Sequence, residues 1–496
     1  MFASPVETDI APSGTLLGLL QRGRGDGALH ALAAPRAEAV SALEHCVLHD
    51  PRPDWRLEHR SLYYARLYVD LRAGLGGIEH HLFDPADGLA AATADDRADG
   101  TGHAAAPRAD EIAEERTGLA LSVLGHLVSY GDRHALALLR RYAADGANWR
   151  WALDELAVRD DDAGLRALGP AILARFPRTD SGDAALARAV RDAYEPRPWR
   201  LWAEDSARPG QAARIDRARE DGDFGRWRRQ LRSPGPRPGW GVPAVLAWVQ
   251  EGHDAVPPVW REAPAARCLA ATAADEDRPL LLETAATGTP PVRAAALRHL
   301  AERQDPAVLP LLEAAADDPD PDLAASAAGS FARMRGAAAL AAARRWAARE
   351  DRVGAAAATL LAHRGGDADA GAVHTALRRA VRLGGPDTDV LPPLVDGVGR
   401  LGVRAAAPAL RHVYRETASS ALRGRAALAL EAADPFFASG LAVECLWDCE
   451  EDTREVAARA ATSCDARVAD RLRRLAADPA ERDGVQTAVR GRLAGA

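Results

Sequence analysis

Apolar residues in the C-terminal half of the chain recur in helical steps, and the blocks of steps recur in turn. Aligned on the first apolar residue of each block, the anchors are Val292, Leu323, Val353, Val390, Leu422, Val456 and Val485, at spacings of 31, 30, 37, 32, 34 and 29 residues. Four residues on stand Ala296, Ala327, Ala357, Leu394, Ala426, Ala460 and Val489. Eight residues on stand Leu300, Phe331, Leu361, Val398, Leu430, Cys464 and Leu493. Offsets of four and eight share one face of an α-helix with the anchor, so each block predicts a helix with a continuous apolar stripe. Three positions before the anchors stand Thr289, Asp320, Glu350, Asp387, Ser419, Thr453 and Arg482, of which five are good capping residues. The clearest copies lie in 289–335, where Thr289-Pro290-Pro291 and Asp320-Pro321 each place proline just inside a capped start. With the apolar segment that precedes each block, the unit is two helices in about 30 residues. That is the pattern of an α-solenoid, because such a hairpin cannot bury its apolar face alone.

Upstream the helical pattern continues without the repeat. Residues 1–84 predict several helices, with stripes such as Val40, Leu43, Cys46 and Val47, then Leu62, Tyr63, Leu67 and Leu71. Residues 85–114 are rich in Ala, Asp and Gly and read as a loop. Residues 115–194 return to paired helices joined by short connectors such as Gly131-Asp132. Residues 195–242 gather six prolines and four tryptophans (Trp199, Trp202, Trp227 and Trp240) and read as a connector with short helices near Arg214 and Trp227. The repeat region is 243–496. The expected fold is all-α: a solenoid of stacked helical hairpins with an N-terminal helical region.

Two segments resemble a known family. Asp305-Pro306-Ala307-Val308-Leu309-Pro310-Leu311-Leu312, followed by Pro319-Asp320-Pro321-Asp322-Leu323-Ala324-Ala325, is similar to HEAT repeats of the short, PBS-lyase HEAT-like type, and Pro408-Ala409-Leu410 repeats the first-helix proline. The resemblance covers about 278–365 and 403–496. It breaks at 366–402, where Pro392-Pro393 intrude, and is only architectural before residue 195. It implies protein–protein scaffolding, with the second helices lining a concave binding face. It carries no catalytic residues.

Charge narrows the partners. The 496-residue chain has a formal net charge of -8, and all 63 of its basic residues are arginine. That balance argues against bulk attraction to nucleic acid or to an anionic membrane. The N-terminus carries acids where a secretory leader needs bases, and no stretch approaches the ~18 apolar residues of a membrane span. The expectation is a cytoplasmic protein with five reduced cysteines.

Candidate chemistry is sparse. His45 and His49 are four apart on one helix, a spacing that holds zinc only if a third ligand converges. The expectation is therefore no metal and no cofactor. Arg22-Gly23-Arg24-Gly25-Asp26-Gly27-Ala28 spells a dinucleotide fingerprint, yet it follows a helix and not a strand, so a helix-ending turn is the better reading. Arg226, Trp227, Arg228 and Arg229 in the connector could bind phosphate and stack on bases. Arg293 and Arg423 are further binding candidates on second helices. Trp149, Trp151, Asp154 and Glu155 share a helix, and some HEAT-like solenoids are DNA glycosylases that use aromatics and a carboxylate. Nucleic-acid binding or processing is thus the alternative to a non-catalytic protein-interaction scaffold. Walker A, GxSxG, HExxH and CxxC motifs are absent, which leaves no common enzymatic signature.

Overall fold

The computed structural model describes residues 10–52, 59–84, 109–219, 239–462 and 465–494. Among them α-helices and short 3-10 turns are the only regular structure. Contacts divide the chain into two compact units, Met1–Leu231 with Ser419–Gly424 and Phe436–Ala496, and Arg232–Ala418 with Arg425–Pro435.

In chain order the first unit opens with α1 (Leu16–Gln21), α2 (Gly25–Ala33), α3 (Arg36–Leu48), α4 (Arg60–Leu71), α5 (Gly76–Leu82), α6 (Ala109–Ser129), α7 (Arg133–Asp145), α8 (Trp149–Arg159), α9 (Asp162–Ala174), α10 (Asp180–Arg191), α11 (Arg197–Ala203) and α12 (Pro209–Ala218). The second unit holds α13 (Val242–Asp254), α14 (Glu262–Thr272), α15 (Arg278–Thr287), α16 (Pro290–Glu302), α17 (Leu309–Ala316), α18 (Pro321–Ala332), α19 (Ala337–Trp346), α20 (Arg352–Arg364), α21 (Ala370–Gly384), α22 (Leu391–Arg400) and α23 (Ala407–Glu416). The unit boundary falls within α24 (Ser420–Ala433). The chain then adds α25 (Leu441–Cys445), α26 (Glu451–Ala460), α27 (Ala466–Ala477) and α28 (Asp483–Ala494) to the first unit.

In the second unit α15/α16, α17/α18, α19/α20 and α21/α22 pair as hairpins, and α14, α16, α18, α20 and α22 stack in succession. The predicted columns form this stack. Ala296, Ala327, Ala357 and Ala426 are fully buried, and Leu300, Phe331, Leu361, Val398 and Leu430 are at most 2% exposed. Small residues set the helix spacing. A Cβ on Gly397 would come 2.5 Å from the Ala362 Cβ, and one on Gly399 would come 2.8 Å from the Ala429 Cα.

Three details differ from the pattern. Val390 is exposed and caps α22, while Leu391 takes the buried anchor place. Pro392-Pro393 do not break the repeat, because they fall in the first turn of α22, where no intrahelical partner awaits the missing N–H. The caps also shift. Asp320 caps α18 as expected, but Asp351 and not Glu350 caps α20, and Thr453 lies inside α26 behind the cap residue Glu450.

The expected loop 85–114 lies outside the described residues as far as 108, and the backbone is already helical from Ala109. In the connector α12 carries Arg214, whereas Trp227 lies outside the described residues. Trp199 and Trp202 are 2% and 0% exposed. They pack edge-on with each other, and Trp202 Nε1 donates to the Leu165 carbonyl at 2.7 Å.

The first unit joins the start of the chain to its end. The Gly23 carbonyl accepts from the Cys449 N–H at 2.8 Å, and α2 lies directly on α25. Gly23 has φ +67°, where a side chain would be strained. Tyr63 and Tyr64 of α4 donate to the Arg24 and Leu20 carbonyls at 2.8 and 3.0 Å, so the α1–α2 turn is fastened on both sides. The glycine-rich stretch is therefore a helix-ending turn whose glycines let α2 approach α25.

Candidate protein-interaction surface

Arginine does most of its work inside the fold. Forks run from one helix to a carboxylate about 20–27 residues on: Arg140 to Asp160, Arg278 to Asp305, Arg344 to Asp369 and Arg423 to Asp448. Arg454 grips Glu481 the same way at 2.9 and 2.7 Å. A planar guanidinium suits such two-point contacts better than an ammonium does, which gives the all-arginine base content a structural use.

This accounts for two sequence candidates. Arg293 bonds Asp318 at 2.7 Å and the Ala285 carbonyl at 3.3 Å, half-buried between repeats. Arg423 is fully buried against Asp448, with its Nη2 3.2 Å from the Cys449 sulfur. It offers no surface to a partner, because its guanidinium is enclosed with the equally buried Asp448 carboxylate. Arg226, Trp227, Arg228 and Arg229 lie outside the described residues.

A buried polar cluster follows the same logic in the first unit. Arg66 of α4 donates to Asp478 and Glu481 at 2.8 and 3.0 Å, and the Tyr130 hydroxyl donates to Asp478 at 3.0 Å. Burial pushes the Glu481 carboxyl up, but Arg454 and Arg66 outweigh it and hold it at about 2. Ser420 donates to Glu450 at 2.7 Å. Burial raises the Glu450 carboxyl above its ordinary range. His126, desolvated and facing Arg159, Arg66, His59 and Arg482, is pushed down to about 3. Glu155 is raised by burial. It accepts from Ser122 at 2.8 Å and pairs with Arg159, while Trp151 Nε1 donates to Ser122 at 2.9 Å. The carboxylate of the glycosylase-like set is thus held inside a local network, and Trp149 is buried against Phe176 and Trp199.

The two N-terminal histidines are exposed and pack on each other, with ring centroids 5.3 Å apart. His81 of α5 approaches His49 edge-on at 6.3 Å. Among the described residues no group of three or more His, Cys, Asp or Glu side chains is arranged to hold a metal. Cys445 and Cys449 are buried and are not joined in a disulfide.

The solvent-facing side of the second helices is built by positions six and ten after each anchor. They are Arg298 and Glu302, Gly329 and Arg333, Thr359 and His363, Asp396 and Arg400, then Leu428 and Ala432, all at least partly exposed. Between them stand Ala325, Ser326 and Ala355. The ridge is therefore smooth, and its charges alternate in sign. Three of its arginines are engaged at home. Arg298 pairs with Glu262 and Glu302 at 3.2 and 2.9 Å, and Arg425 pairs with Asp396. Arg400 donates to the carbonyls of Ala362 and Gly365, both at 2.9 Å, and so caps the end of α20. Nothing in the column pattern alone distinguished these outward positions as a surface. The signal that could have found them is the absence of large apolar residues at offset six in most repeats.

Fold and surface together define an α-solenoid of helical hairpins. A family model for HEAT repeats matches residues 260–331, which span the hairpins from α14 to α18. That segment carries HEAT repeats, and the helical hairpins on either side of it are consistent with the same architecture. No curated protein matches its sequence. Among the described residues no helix is long and apolar enough to cross a membrane.

Proposed function

We propose that the protein is a non-catalytic interaction scaffold, acting in the cytoplasm, whose second-helix ridge from Arg298 to Leu428 docks a segment of another protein. HEAT repeats commonly mediate protein–protein interaction, and a stack of hairpins leaves long ridges available for recognition. The observation that carries the reading is the ridge itself. Small residues at Gly329, Ala325, Ala355 and Thr359 allow a partner backbone to come close, and alternating charges at the rim give register. The same ridge disfavours a phosphate backbone, because Arg298, Arg400 and Arg425 are already bonded within the unit.

The test is site-specific photo-crosslinking in cell extract, with the photo-reactive residue at Thr359 on the ridge or at the exposed Leu383 on α21. One protein is expected to crosslink from Thr359 and not from Leu383, and to be lost in a Gly329→Arg, Ala355→Arg variant. A salt titration of DNA and RNA binding runs beside it. Equal crosslinking from both positions, or nucleic-acid binding that falls steeply with salt, would overturn the proposal.

A further inference from the structure

Among the five copies that the second unit contributes, one buried position of the repeat is filled by an ionisable side chain in a single copy. Seven residues after the anchors stand His299, Ser330, Leu360, Gly397 and Ala429, all buried or nearly so. His299 is 1% exposed, and neither ring nitrogen has a hydrogen-bond partner among the described residues. The ring approaches the Ala266 carbonyl without reaching hydrogen-bond geometry. Burial, with Arg303 nearby, lowers the imidazole below its ordinary range. A buried polar ring without a hydrogen-bond partner is destabilising, and Leu360 shows that a leucine can occupy the same place.

His299 lines a cleft of about 340 Å³ within the second unit. Leu281 and Leu300 form an apolar floor, and Arg278, Arg303 and Asp275 stand at the rim. The two arginines differ. Arg278 forks onto Asp305 at 2.5 and 3.0 Å, and that carboxylate also accepts the Ala307 N–H. Arg303 is held by Asp275 at 3.1 Å, and the Asp275 side chain is 95% exposed. A pair that open to water contributes little, so an anion entering the cleft can take over Arg303 at small cost.

We propose that this cleft binds a small organic anion, a carboxylate or a phosphate ester. The anionic head lies on Arg303, the apolar body covers Leu281 and Leu300, and a polar atom of the ligand meets the His299 ring. This inference is independent of the ridge and stands or falls separately from it.

Saturation-transfer NMR on the full chain tests it with three probes: benzoate, phenyl phosphate and inorganic phosphate. At least one of the two aromatic anions is expected to bind saturably and to outcompete inorganic phosphate, and which one does so tells carboxylate from phosphate ester. Arg303→Gln, a surface change, is expected to weaken that probe about tenfold or more, since a charge-assisted bond is lost. His299→Leu is expected to raise the thermal midpoint and yet weaken binding, a trade that a merely structural histidine would not show. Absence of binding by both aromatic anions, or equal binding by Arg303→Gln, would overturn the proposal.

Discussion

Gly25→Ala tests the joint between the two ends of the chain. Gly25 is the first residue of α2, and a Cβ there would lie 1.9 Å from the Glu444 carbonyl oxygen, 2.8 Å from its carbon and 3.2 Å from the Asp448 nitrogen. All three are backbone atoms, so no side chain can swing aside. An ordinary carbon–oxygen contact is above 3 Å, so α2 and α25 must separate by more than an ångström. That movement strains the Cys449 N–H bond to the Gly23 carbonyl at 2.8 Å, a bond that contributes about 0.5–1.5 kcal/mol. Overpacking of a close interface costs a further 1–3 kcal/mol or so. Against this, alanine in place of glycine returns up to about 1 kcal/mol of helix propensity and chain entropy. The net loss is about 2–3 kcal/mol. Gly76→Ala is the matched control, because Gly76 also opens a helix and a Cβ there meets nothing within 4 Å. Urea unfolding should move to lower midpoint for Gly25→Ala and stay level or rise for Gly76→Ala. Hydrogen exchange should quicken at 441–449 in the first variant only. If Gly25→Ala behaves like Gly76→Ala, α2 does not rest on α25.

Three other outcomes are expected. Ala327→Leu should cost about 1–3 kcal/mol by overpacking a fully buried column, and unchanged urea unfolding would remove Ala327 from the core. Asp448→Ala should cost about 3–5 kcal/mol, because it strands the fully buried Arg423. The double variant Arg423→Met, Asp448→Leu should recover a substantial part of that loss, and a double-mutant cycle by urea unfolding that shows no recovery refutes the pairing. His126, held down to about 3 from an ordinary 6.5, is neutral in the fold while the unfolded chain takes up a proton. Its contribution is therefore whole above about pH 6.5 and is lost as pH falls toward 3, at up to about 1.4 kcal/mol per unit. The His126→Gln variant should show a shallower fall in stability between pH 6.5 and 4.5, and parallel curves would contradict the burial assigned to His126.

The second unit was legible because its order is local. Anchors, small middle residues and eighth-position apolars all lie within one helix, so period and capping suffice to place them. Ala327 and Leu361 needed no knowledge of distant sequence. Val390 misled because the pattern prefers the first apolar residue after a cap, whereas Thr388, Asp389 and Val390 form the approach to α22 and Leu391 enters the core. The first unit was legible only as helices. Its defining contacts join Gly23 to Cys449 and Arg66 to Glu481, more than 400 residues apart, and no periodicity carries such a pairing. The glycines did leave a local trace. A tight run at Gly23, Gly25 and Gly27 excludes a cofactor loop by context, yet says nothing of the carbonyl that fills the space.

The same distinction explains the fate of the charged candidates. Sequence presents an arginine as a free cation, because its partner stands one repeat away. In the fold the interval between repeats brings a carboxylate back to the end of the next hairpin, as Asp318 meets Arg293 and Asp448 meets Arg423. An arginine at a repeating position is thus a candidate for the stack before it is a candidate for a partner. The argument runs the other way for residues that break a column. His299 replaces residues that are small or apolar in the other copies of the second unit, has no hydrogen-bond partner among the described residues, and lines a cleft beside an arginine paired with an exposed aspartate. Packing explains the column, and the exception to the column is where a ligand has something to gain.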